Sequence, residues 1–435
     1  MPVVTLFGTP DLLGLHIANP RRYPFLLQTL GDNGWDILFA FPQAPSSHYA
    51  APFFSLLDSE WQKSGGTCPE TKDIPFTGGW FIYLGYELLH ELEPSVTPRI
   101  LADGFPAVKL VRIPAAVMVN KARQQTCLFA EQDHAECLVA MRADLENVSP
   151  IADEPVQVDN LTEELPELFL DGVSRIKDYI REGDVFQVNL ARRWQGQLTD
   201  GSAAQLYARL RRSNPAPFAG IANFGQYRIV SSSPERLVRV QDGLVETRPI
   251  AGTHPRSLDP GEDEKLRQDL MASQKERAEH IMLIDLERND LGRICQPGSV
   301  IVDELMAVRS YTHVHHIESN VRGRLRSGVT PAGVLRALFP GGTITGCPKV
   351  RTMQIIRELE ASPRCAYTGS MGYLNRDGSM DLNILIRTFM LNGNRLSFKA
   401  GAGIVADSDP LRELNETRAK AKGLLKALEH DSGER

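Results

Sequence analysis

The chain of 435 residues predicts an α+β protein, and two patterns carry this prediction. Short apolar runs broken by Gly and Pro recur at 36–41, 79–86 and 116–120, which is typical of strands. Later segments show apolar residues at helical spacing, at 169–181, 262–286 and 411–428. Further strands are predicted at 185–190, 227–231, 237–240 and, as a strand, turn and strand, within 367–391.

The sequence also suggests a division into two lobes. The length suits two domains or one large body. Residues 151–168 are acidic, contain proline and show little apolar periodicity, which is typical of a solvated connector. We therefore predict a β-rich N-terminal lobe at 1–150, a connector at 151–168 and a second lobe at 169–435, where the motifs concentrate.

Composition excludes several classes of protein. Lys and Arg number 48 against 54 Asp and Glu, a net charge of -6, so we expect no nucleic-acid partner. No apolar run reaches the roughly 18 residues of a membrane helix, and the first ten residues lack the features of an export signal. The six cysteines form no CxxC pair, which favours reduced thiols. We expect a cytoplasmic protein without a membrane contact.

Two predicted helices each carry a Glu-x-x-Glu pair, Glu276 with Glu279 and Glu413 with Glu416. Residues three apart share a helix face, so each pair can direct two carboxylates to one point. Two such faces opposed would make an all-oxygen site of the kind that Mg²⁺ prefers. The alternative is that each pair forms exposed ion pairs with the basic residue four positions before its second glutamate.

The segment 339–349, FPGGTITGCPK, has the glycine spacing of a phosphate-binding loop. Cys347 and Pro348 stand where that loop requires Lys and Ser or Thr, which excludes a Walker motif. The backbone amides and the hydroxyls of Thr343 and Thr345 remain candidates for a carboxylate site or a small polar pocket. The alternative is a tight connection between a strand and a helix.

A second small-residue segment, KAGAGIV at 399–405, follows Arg387 on an apolar predicted strand. Small residues permit close approach of the backbone to a ligand, and a strand Arg needs a planar anion or a buried partner. A substrate carboxylate would satisfy both requirements. An internal ion pair of Arg387 is the alternative.

Three histidines, His313, His315 and His316, lie on a predicted strand that places the first two on one face and His316 on the other. No third ligand at zinc-like spacing accompanies them, so the functional hypothesis is one histidine as a proton carrier. Ordinary packed histidines are the alternative.

Glu235 follows a predicted strand at a Ser-Pro turn, in SSSPER. A carboxyl group there can act as a general acid if its pKa is raised. Alternatively, it is the ion-pair partner of Arg236.

Taken together, the blocks between 169 and 428 resemble the chorismate-utilising enzymes, which include anthranilate, aminodeoxychorismate, isochorismate and salicylate synthases. The matching blocks are GDVFQVNLARR, SSSPERL, TRPIAGTHPR, KERAEHIMLIDLERNDLGR, HVHHIESNVRG, FPGGTITGCPKVRTM, YTGSMGY, DLNILIRT, AGAGIVADS and ETRAKAK. The first third matches chiefly at PFTGGWFIYLGYE. The resemblance implies large antiparallel sheets packed as a sandwich core with helices outside, as in anthranilate synthase component I, and a chorismate-binding catalytic domain at 169–435.

The resemblance also implies roles for individual residues. Mg²⁺ would be held by Glu279 and Glu416, with Glu276 and Glu413 alongside or through water, and would bind the ring carboxylate of chorismate. Glu235 would protonate the departing C4 hydroxyl, while Thr343 and His316 would line the ring pocket. The substrate-binding residues implied by the resemblance are Thr253, Tyr367, Arg387, Gly401, Ala402, Gly403 and Lys420.

A few positions indicate which member of this family the chain resembles most. The best-known aminodeoxychorismate synthases resemble a PIKGT pattern whose Lys attacks the ring, and here Ala251 stands in that place, as in anthranilate synthases. The blocks at 313–322 and 381–388 and the compact N-terminal lobe are more similar to the aminodeoxychorismate group. Leu26-Leu27-Gln28-Thr29 replaces the Leu-Leu-Glu-Ser type of segment that accompanies tryptophan feedback. We expect aminodeoxychorismate synthesis for folate, with anthranilate synthesis as the alternative.

The nitrogen source is predicted to lie outside this chain. A class I glutaminase needs a G-x-C-x-G elbow, and no cysteine here has both glycines. We expect free ammonia or a heterodimer with a glutamine amidotransferase subunit. Gln187 stands where water-using relatives have Lys, which favours amination. A non-catalytic glutaminase-binding relative is the remaining alternative, and the retained Glu235, Arg387 and Lys420 favour an enzyme.

Overall fold

The computed structural model describes residues 3–31, 33–43, 52–64, 73–97, 99, 101, 104–149, 151, 154–257, 259–310 and 314–429, with the backbone alone at 253–255, 275 and 314. The helices there are α1 (Leu12–Ala18), α2 (Phe53–Ser64), α3 (Cys137–Glu146), α4 (Pro166–Arg181), α5 (Ala203–Ser213), α6 (Pro260–Ala272), α7 (Gln274–Gly292), α8 (Pro331–Leu338), α9 (Lys349–Leu359) and α10 (Pro410–Leu428). None of them combines the length and apolar character of a membrane span.

The strands in the described ranges alternate with these helices along the whole chain. They are β1 (Val3–Phe7), β2 (Phe25–Gln28), β3 (Trp35–Ala40), β4 (Gly79–Leu84), β5 (Val108–Ile113), β6 (Ala115–Asn120), β7 (Gln125–Ala130), β8 (Gln157–Glu163), β9 (Gln187–Asp200), β10 (Phe218–Phe224), β11 (Tyr227–Ser233), β12 (Arg236–Gln241), β13 (Leu244–Thr247), β14 (Ile250–Pro255), β15 (Ile301–Ser310), β16 (Val314–Arg324), β17 (Gly346–Cys347), β18 (Ser370–Asn375), β19 (Met380–Asn383), β20 (Thr388–Asn392) and β21 (Arg395–Ile404).

Two antiparallel sheets organise the described part of the chain. The larger has twelve strands in the order β1-β7-β6-β3-β2-β10-β11-β20-β21-β9-β17, with β8 paired to β9. The smaller has nine strands in the order β14-β16-β13-β12-β19-β18-β4-β5, with β15 paired to β16. Successive side chains of a strand point to opposite faces, and in β4 and β6 every residue is buried, because one face of each sheet lines the shared interior and the other is covered by helices.

The interior between the sheets is aromatic. Phe25 of β2 stacks on Phe81 of β4 with ring centroids 4.1 Å apart, and each belongs to a different sheet. Phe39 of β3 meets the same ring edge-on at 5.4 Å. These contacts bury large apolar areas and hold the sheets face to face. The predicted sandwich of antiparallel sheets is confirmed.

Helices cover the outer faces. Side chains of α1, α3, α5 and α10 share one apolar cluster with the larger sheet, and those of α2, α7 and α8 share another with the smaller sheet. Local capping helps to set where these helices begin: Ser202, Thr330 and Asp409 each accept a hydrogen bond from a backbone N–H in the first turn of α5, α8 and α10. The prediction of helices outside the sheets is therefore confirmed.

Two predicted elements are wrong in detail. The helix predicted at 262–286 is two helices, because Ser273 has an extended backbone and caps α7 by accepting from the N–H of Glu276. The strand predicted through 381–388 stops at Asn383, since the chain leaves the smaller sheet there and joins the larger one at Thr388. Arg387, at this crossing, has a φ of 53°.

The two sheets extend across the predicted boundary near residue 150. Strands from the first 150 residues continue into both sheets, β2 pairing with β10 and β4 pairing with β18. The predicted connector at 151–168 contains β8, which pairs with β9, and the first turn of α4. The division into two lobes stays a prediction. Both sheets contain strands from before and after residue 150.

Candidate active site

The candidate site lies where the chain crosses twice between the sheets. One crossing links β11 to β12 through Glu235, and the other links β19 to β20 through Arg387. The two crossings are hydrogen-bonded to each other: the N–H of Ile384 donates to the carbonyl of Glu235 at 3.0 Å, and that of Ser232 donates to the carbonyl of Arg387 at 3.1 Å. The paired crossings fix an acidic and a basic residue between the sheets.

Glu235 is buried and engaged by the glycine-rich segment. Its side-chain exposure is 5%, and Oγ1 of Thr343 donates to its Oε1 at 2.6 Å. Burial raises the pKa of Glu235 to about 8, and the neighbouring carboxylates of Glu287 and Glu318 add to the increase. At neutral pH the group therefore holds a proton that it can donate. The alternative that Glu235 pairs with Arg236 is wrong, because Arg236 binds Asp381 at 3.0 Å.

The loop that carries Thr343 has a second buried carboxyl group behind it. Burial raises the pKa of Glu287, on α7, to about 7, while the hydroxyl of Thr247 and the N–H of Gly342 donate to its carboxylate. A Cβ at Gly342 would lie 2.4 Å from Cδ2 of Leu286, so a larger residue here would displace that side chain. Thr345 uses its hydroxyl inside the loop, donating to the carbonyl of Gly341 at 2.9 Å. Thr343 therefore faces Glu235, and Thr345 supports the loop.

Arg387 supplies the positive charge. Among the described residues, the structure records no hydrogen bond or ion pair of its guanidinium, so the internal ion pair proposed as the alternative is not found there. Burial lowers the pKa of Arg387, while Tyr367, Glu416 and Glu235 act in the opposite direction. Burial raises the pKa of Tyr367 to about 12, so its hydroxyl remains a neutral donor. An uncompensated guanidinium beside this hydroxyl is suited to a carboxylate ligand.

The glycines of β21 leave space at the base of the candidate site. Gly401 lies opposite Ala191 of β9, and Gly403 opposite Asn189. The carbonyl of Gly401 accepts from Nζ of Lys420 at 3.0 Å, so it points away from β9. In an antiparallel strand the N–H and the carbonyl of one residue point to the same edge, and so do those of the residue two positions further on. The N–H groups of Gly401 and Gly403 therefore also point away from β9. Ala402 instead packs its methyl group into the apolar cluster beneath α4.

His316 borders the same chamber. It is 6% exposed, and its Nδ1 lies 3.2 Å from the carbonyl of Gly252. Burial lowers the pKa of His316 to about 4, against the opposing effect of this backbone contact. A neutral ring that donates from Nδ1 keeps a lone pair at Nε2. His315 faces the other way and contacts Asp263 at 3.0 Å, as the strand alternation predicts. His313 and the side chain of Thr253 lie outside the described residues.

The four predicted metal ligands are only partly brought together. Glu413 is buried, Glu276 and Glu279 are half-buried, and Glu416 is exposed and pairs with Lys420 at 2.7 Å. Oε2 of Glu276 would lie 3.0 Å from a Cβ at Gly252. In the described part of the chain, the group of three potential ligands with all atoms within 4.8 Å is His134, Glu136 and Cys137 instead.

Both glutamate helices nevertheless border one chamber. Glu276 of α7 occupies the space that a Cβ at Gly252 would enter, and the carbonyl of Gly252 accepts from His316, while the charges of Arg387 and Lys420 act on the pKa of His316. Lys420 is in turn the ion-pair partner of Glu416 of α10. The chemistry of this donor set, four carboxylates on two helices, fits a hard divalent cation. The magnesium site stays a prediction.

Sequence reasoning missed the buried ion cluster beneath Tyr367. Glu360 is bound by Arg364 at 2.6 Å and by Lys399 at 3.1 Å, and all three are at most 4% exposed. The guanidinium of Arg364 lies 5.5 Å from the ring of Tyr367. Glu360 and Arg364 are four residues apart, a spacing that by itself does not distinguish a buried pair from an exposed one. Their burial follows from the position of 360–364 between α9 and the sheets.

The cysteines among the described residues form no disulfide bond. Cys127, Cys137, Cys295, Cys347 and Cys365 are free. Cys68 lies outside the described residues.

Comparisons with known proteins identify the family to which this chain is similar. A family profile described as chorismate binding enzyme matches residues 40–426. An anthranilate synthase component I-like protein of Synechocystis sp. is 42% identical over 82% of this chain and 74% of its own length. Aminodeoxychorismate synthase component 1 of Bacillus subtilis is 48% identical over 60% of this chain and 55% of its own.

A solved structure supports the same relationship. Anthranilate synthase component I from Streptococcus pneumoniae TIGR4 superposes with a TM-score of 0.77 and 30% identity, covering 98% of this chain and 92% of that one. The matched region includes both crossings, the glycine-rich segment and β21. The chain therefore belongs to the chorismate-binding enzyme family and is a chorismate-utilising enzyme.

Proposed function

We propose that this chain aminates chorismate with ammonia and releases 4-amino-4-deoxychorismate, a precursor of 4-aminobenzoate and folate. The observation that carries the proposal is a protonated, buried Glu235 held at a sheet crossing beside the unpaired guanidinium of Arg387. A dianionic substrate with a poor leaving hydroxyl needs a cationic and N–H-rich end for its carboxylates and an acid near the hydroxyl.

The reaction balances on these residues. Glu235 donates its proton to the departing hydroxyl, the carbon–oxygen bond breaks and water leaves. Ammonia supplies the electron pair of the new carbon–nitrogen bond, and its excess proton restores the acid form of Glu235. Arg387, Tyr367 and the amides of Gly401 and Gly403 bind the carboxylate of the enolpyruvyl arm, which keeps the ring in place during the exchange.

Mg²⁺ belongs to this proposal as a cofactor. Glu279 and Glu416 would hold it, with Glu276 and Glu413 alongside or through water. It would supply a positive charge for the ring carboxylate and help the hydroxyl to leave.

A partner subunit is proposed for the ammonia. The sequence carries no glutaminase elbow, so we propose a heterodimer with a glutamine amidotransferase subunit that delivers ammonia. The relatives named component 1 or component I are similarly named as parts of larger assemblies.

Anthranilate synthesis is the second candidate, and two observations favour it. Several relatives carry the name anthranilate synthase component 1, including one of Acinetobacter calcoaceticus at 38% identity over 88% of this chain and 81% of its own length. Ala251, on β14, provides no amine for a covalent route to C4. Nitrogen would then enter at C2, and pyruvate would be eliminated in the same site.

One assay separates the candidates. The purified chain is incubated with chorismate, Mg²⁺ and ammonium, and the products are resolved before and after adding the lyase that eliminates pyruvate from 4-amino-4-deoxychorismate. We expect 4-aminobenzoate after the lyase is added. Fluorescent anthranilate without the lyase would reverse the ranking of the two products. Glu235→Gln is the matched control, since it keeps size and removes the acid.

A separate test addresses the partner. The chain alone is supplied with glutamine in place of ammonium. We expect no turnover, and glutamine hydrolysis by the purified chain would refute the need for a glutaminase subunit.

A further inference from the structure

Helix α7 carries two buried carboxyl groups that have no role in the proposed reaction. Glu287 and Asp290 are 5% and 3% exposed, and their spacing of three residues places them on one face of the helix. The charge of Asp290 disfavours the charge of Glu287, so both need hydrogen-bond donors or a positive group in order to stay buried. Their partners therefore show what this face of α7 holds in place.

Glu287 binds the middle of the glycine-rich segment 339–349. Its carboxylate accepts from the N–H of Gly342 and from the hydroxyl of Thr247, at the end of β13. A Cβ at Gly342 would lie 3.4 Å from Oε1 of Glu287, so the segment lies directly against the helix at this point. Glu287 thus joins the segment to α7 and to the smaller sheet.

Asp290 binds the end of the same segment. Nζ of Lys349, the first residue of α9, donates to its carboxylate and lies 3.5 Å from the carbonyl of Leu338, the last residue of α8. In the described part of the chain the structure records this ion pair for Asp290 and none for Glu287. One face of α7 therefore holds the segment at two points, and the charge of Glu287 is left without a bound cation.

The contact at Gly342 fixes the turn that presents Thr343. The carbonyl of Gly342 accepts from the N–H of Gly346 at 3.0 Å, so one backbone group of this glycine is bound by the turn and the other by the helix. Thr343 is the next residue, and its Oγ1 donates to Oε1 of Glu235 at 2.6 Å. Loss of the contact with Glu287 would release the turn directly beside this hydrogen bond.

The charge of Glu287 also acts on Glu235. Burial is the main cause of the raised pKa of Glu235, and the carboxylate of Glu287 adds to it. The pKa of Glu287 is raised to about 7, below the value of about 8 for Glu235. As pH rises, Glu287 is therefore ionised first and its charge opposes ionisation of Glu235. The other charged groups that act on this pair are Asp290 of α7, Glu318 of β16, Lys349 of α9, Arg387 between β19 and β20, and Lys420 of α10.

We propose that Glu287 is a positioning residue, which holds the turn at Gly342 so that Thr343 reaches Glu235. The inference rests on the proposed role of Glu235 as the acid in the amination of chorismate. Glu287 exchanges no proton with the substrate and acts through the turn and through its negative charge. A carboxamide in its place keeps an acceptor without the charge, whereas an aliphatic side chain of similar size removes both, so the two effects can be measured separately.

The test compares Glu287→Gln, Glu287→Leu, Thr343→Val and the double variant that combines Glu287→Leu with Thr343→Val. Asp285→Asn is the matched control, because Asp285 is 65% exposed and pairs with Arg288 on the same helix. Consumption of chorismate with ammonium and Mg²⁺ present is followed as a function of pH to give kcat and KM. Equilibrium dialysis gives chorismate affinity, and thermal melts establish which variants are folded.

The pH profile tests the effect of the charge. In Glu287→Gln we expect kcat at low pH to stay close to that of the parent protein, while the descending limb moves to lower pH by roughly half to one unit. The reason is that the charge opposing ionisation of Glu235 is gone. Thr343→Val moves the same limb to higher pH, and Asp285→Asn leaves it in place. A limb that stays in place or moves to higher pH in Glu287→Gln overturns the inference.

The double variant tests the effect on position. Glu287→Leu and Thr343→Val should each lower kcat by about tenfold, and because one residue acts through the other the double variant should lose no more than about tenfold. Chorismate affinity should be unchanged in Glu287→Leu. Losses that multiply to about a hundredfold overturn the inference, as does an equal loss of chorismate affinity. Should the leucine variant fail to fold, the pH limb of Glu287→Gln decides.

Failure of the proposed function has a different result. Product analysis of the parent protein decides the function, since consumption of chorismate without an aminated product rejects the amination. The kinetics of that consumption still decide the role of Glu287, because the acid acts on the departing hydroxyl whichever nucleophile enters. If the parent protein consumes no chorismate, both are rejected.

Discussion

Oγ1 of Thr343 donates a hydrogen bond of 2.6 Å to Oε1 of Glu235, although 108 residues separate them in the chain. The first lies in the glycine-rich segment between α8 and α9, and the second lies at the crossing from β11 to β12. Their contact joins the two motifs to which the sequence assigns a polar pocket and an acid. Because Glu235 has a pKa near 8, the acid form is the one present at neutral pH.

The first prediction concerns the pH dependence set by Glu235. If it acts as the acid, kcat is constant below its pKa and falls as pH rises through about 8. The hydrogen bond from Thr343 favours the charged form and so lowers this pKa. Thr343→Val should therefore move the descending limb to higher pH. Glu235→Gln should lower kcat by about 10²- to 10⁴-fold and remove the limb. A pH profile identical in all three proteins would contradict the assignment.

The second prediction concerns substrate capture by Arg387. Arg387→Ala removes a charged donor pair, each charged hydrogen bond being worth about 1.5 to 3 kcal/mol. The KM for chorismate should rise about ten- to hundredfold. Arg387→Lys keeps the charge without the planar fork and should recover part of the loss. Dialysis with chorismate provides the measurement, and unchanged affinity in the alanine variant would place the carboxylate elsewhere.

The third prediction uses the space above Gly401. A Cβ at this position would approach Oδ1 of Asn189, the carbonyl of Leu190 and the hydroxyl of Tyr367 within 2.6 to 2.8 Å. Gly401→Ala should therefore abolish chorismate binding. Gly292→Ala, at the end of α7, meets no atom within 4 Å and is the control that should remain active. Thermal melts establish that both variants are folded. A fully active Gly401→Ala variant would contradict the placement of chorismate beside Gly401.

The fourth prediction concerns the ion cluster beneath Tyr367. Burial alone would raise the pKa of Glu360, but the charges of Arg364 and Lys399 outweigh it and lower this pKa. The stabilisation is present above the unfolded pKa of the carboxyl and is lost as pH falls through the folded one. Arg364→Leu leaves a buried charge without its main partner and should cost about 3 to 5 kcal/mol in urea denaturation. The exposed pair of Arg267 and Glu264 offers the contrast, since Arg267→Leu should leave the midpoint unchanged.

The fifth prediction is that tryptophan does not inhibit the chain. Leu27, Gln28 and Thr29 line a cavity of about 380 Å³ between the sheets. The amide of Gln28 is already bound to Asp36 at 2.8 Å and to the hydroxyl of Tyr207 at 2.9 Å. The amide of Gln28 is therefore engaged within this chain and is not available to a free amino acid. Rates measured with and without tryptophan should agree, and inhibition would support the anthranilate alternative.

The local pattern of the sequence was sufficient for some of the elements. Apolar residues at helical spacing located α4 and α10 to within a few residues, and short apolar runs located β3 and β6. It predicted one helix through Ala272 and Ser273, which it marked only as a weak point, although a cap at Ser273 starts a new helix there, and it missed the interruption before Arg387. The first has a local signal, since Ser273 and Glu276 have the spacing of a capping box, whereas the second depends on the passage of the chain from the smaller sheet to the larger one.

For the site, the sequence by itself determined which chemical groups are available. They are a carboxyl group at Glu235, a guanidinium at Arg387, glycines at 401 and 403 and two pairs of glutamates. It also determined the family, because the order of the motifs along the chain can be recognised without knowing which residues they contact in the fold. The tertiary structure decided protonation and contact. Glu235 becomes an acid because two sheets bury it, and Asn189 and Glu360 gain their importance from residues that are distant along the chain but adjacent across β9, β21 and α9. Burial and long-range contact are properties of the packed sandwich, and no spacing within one segment encodes them.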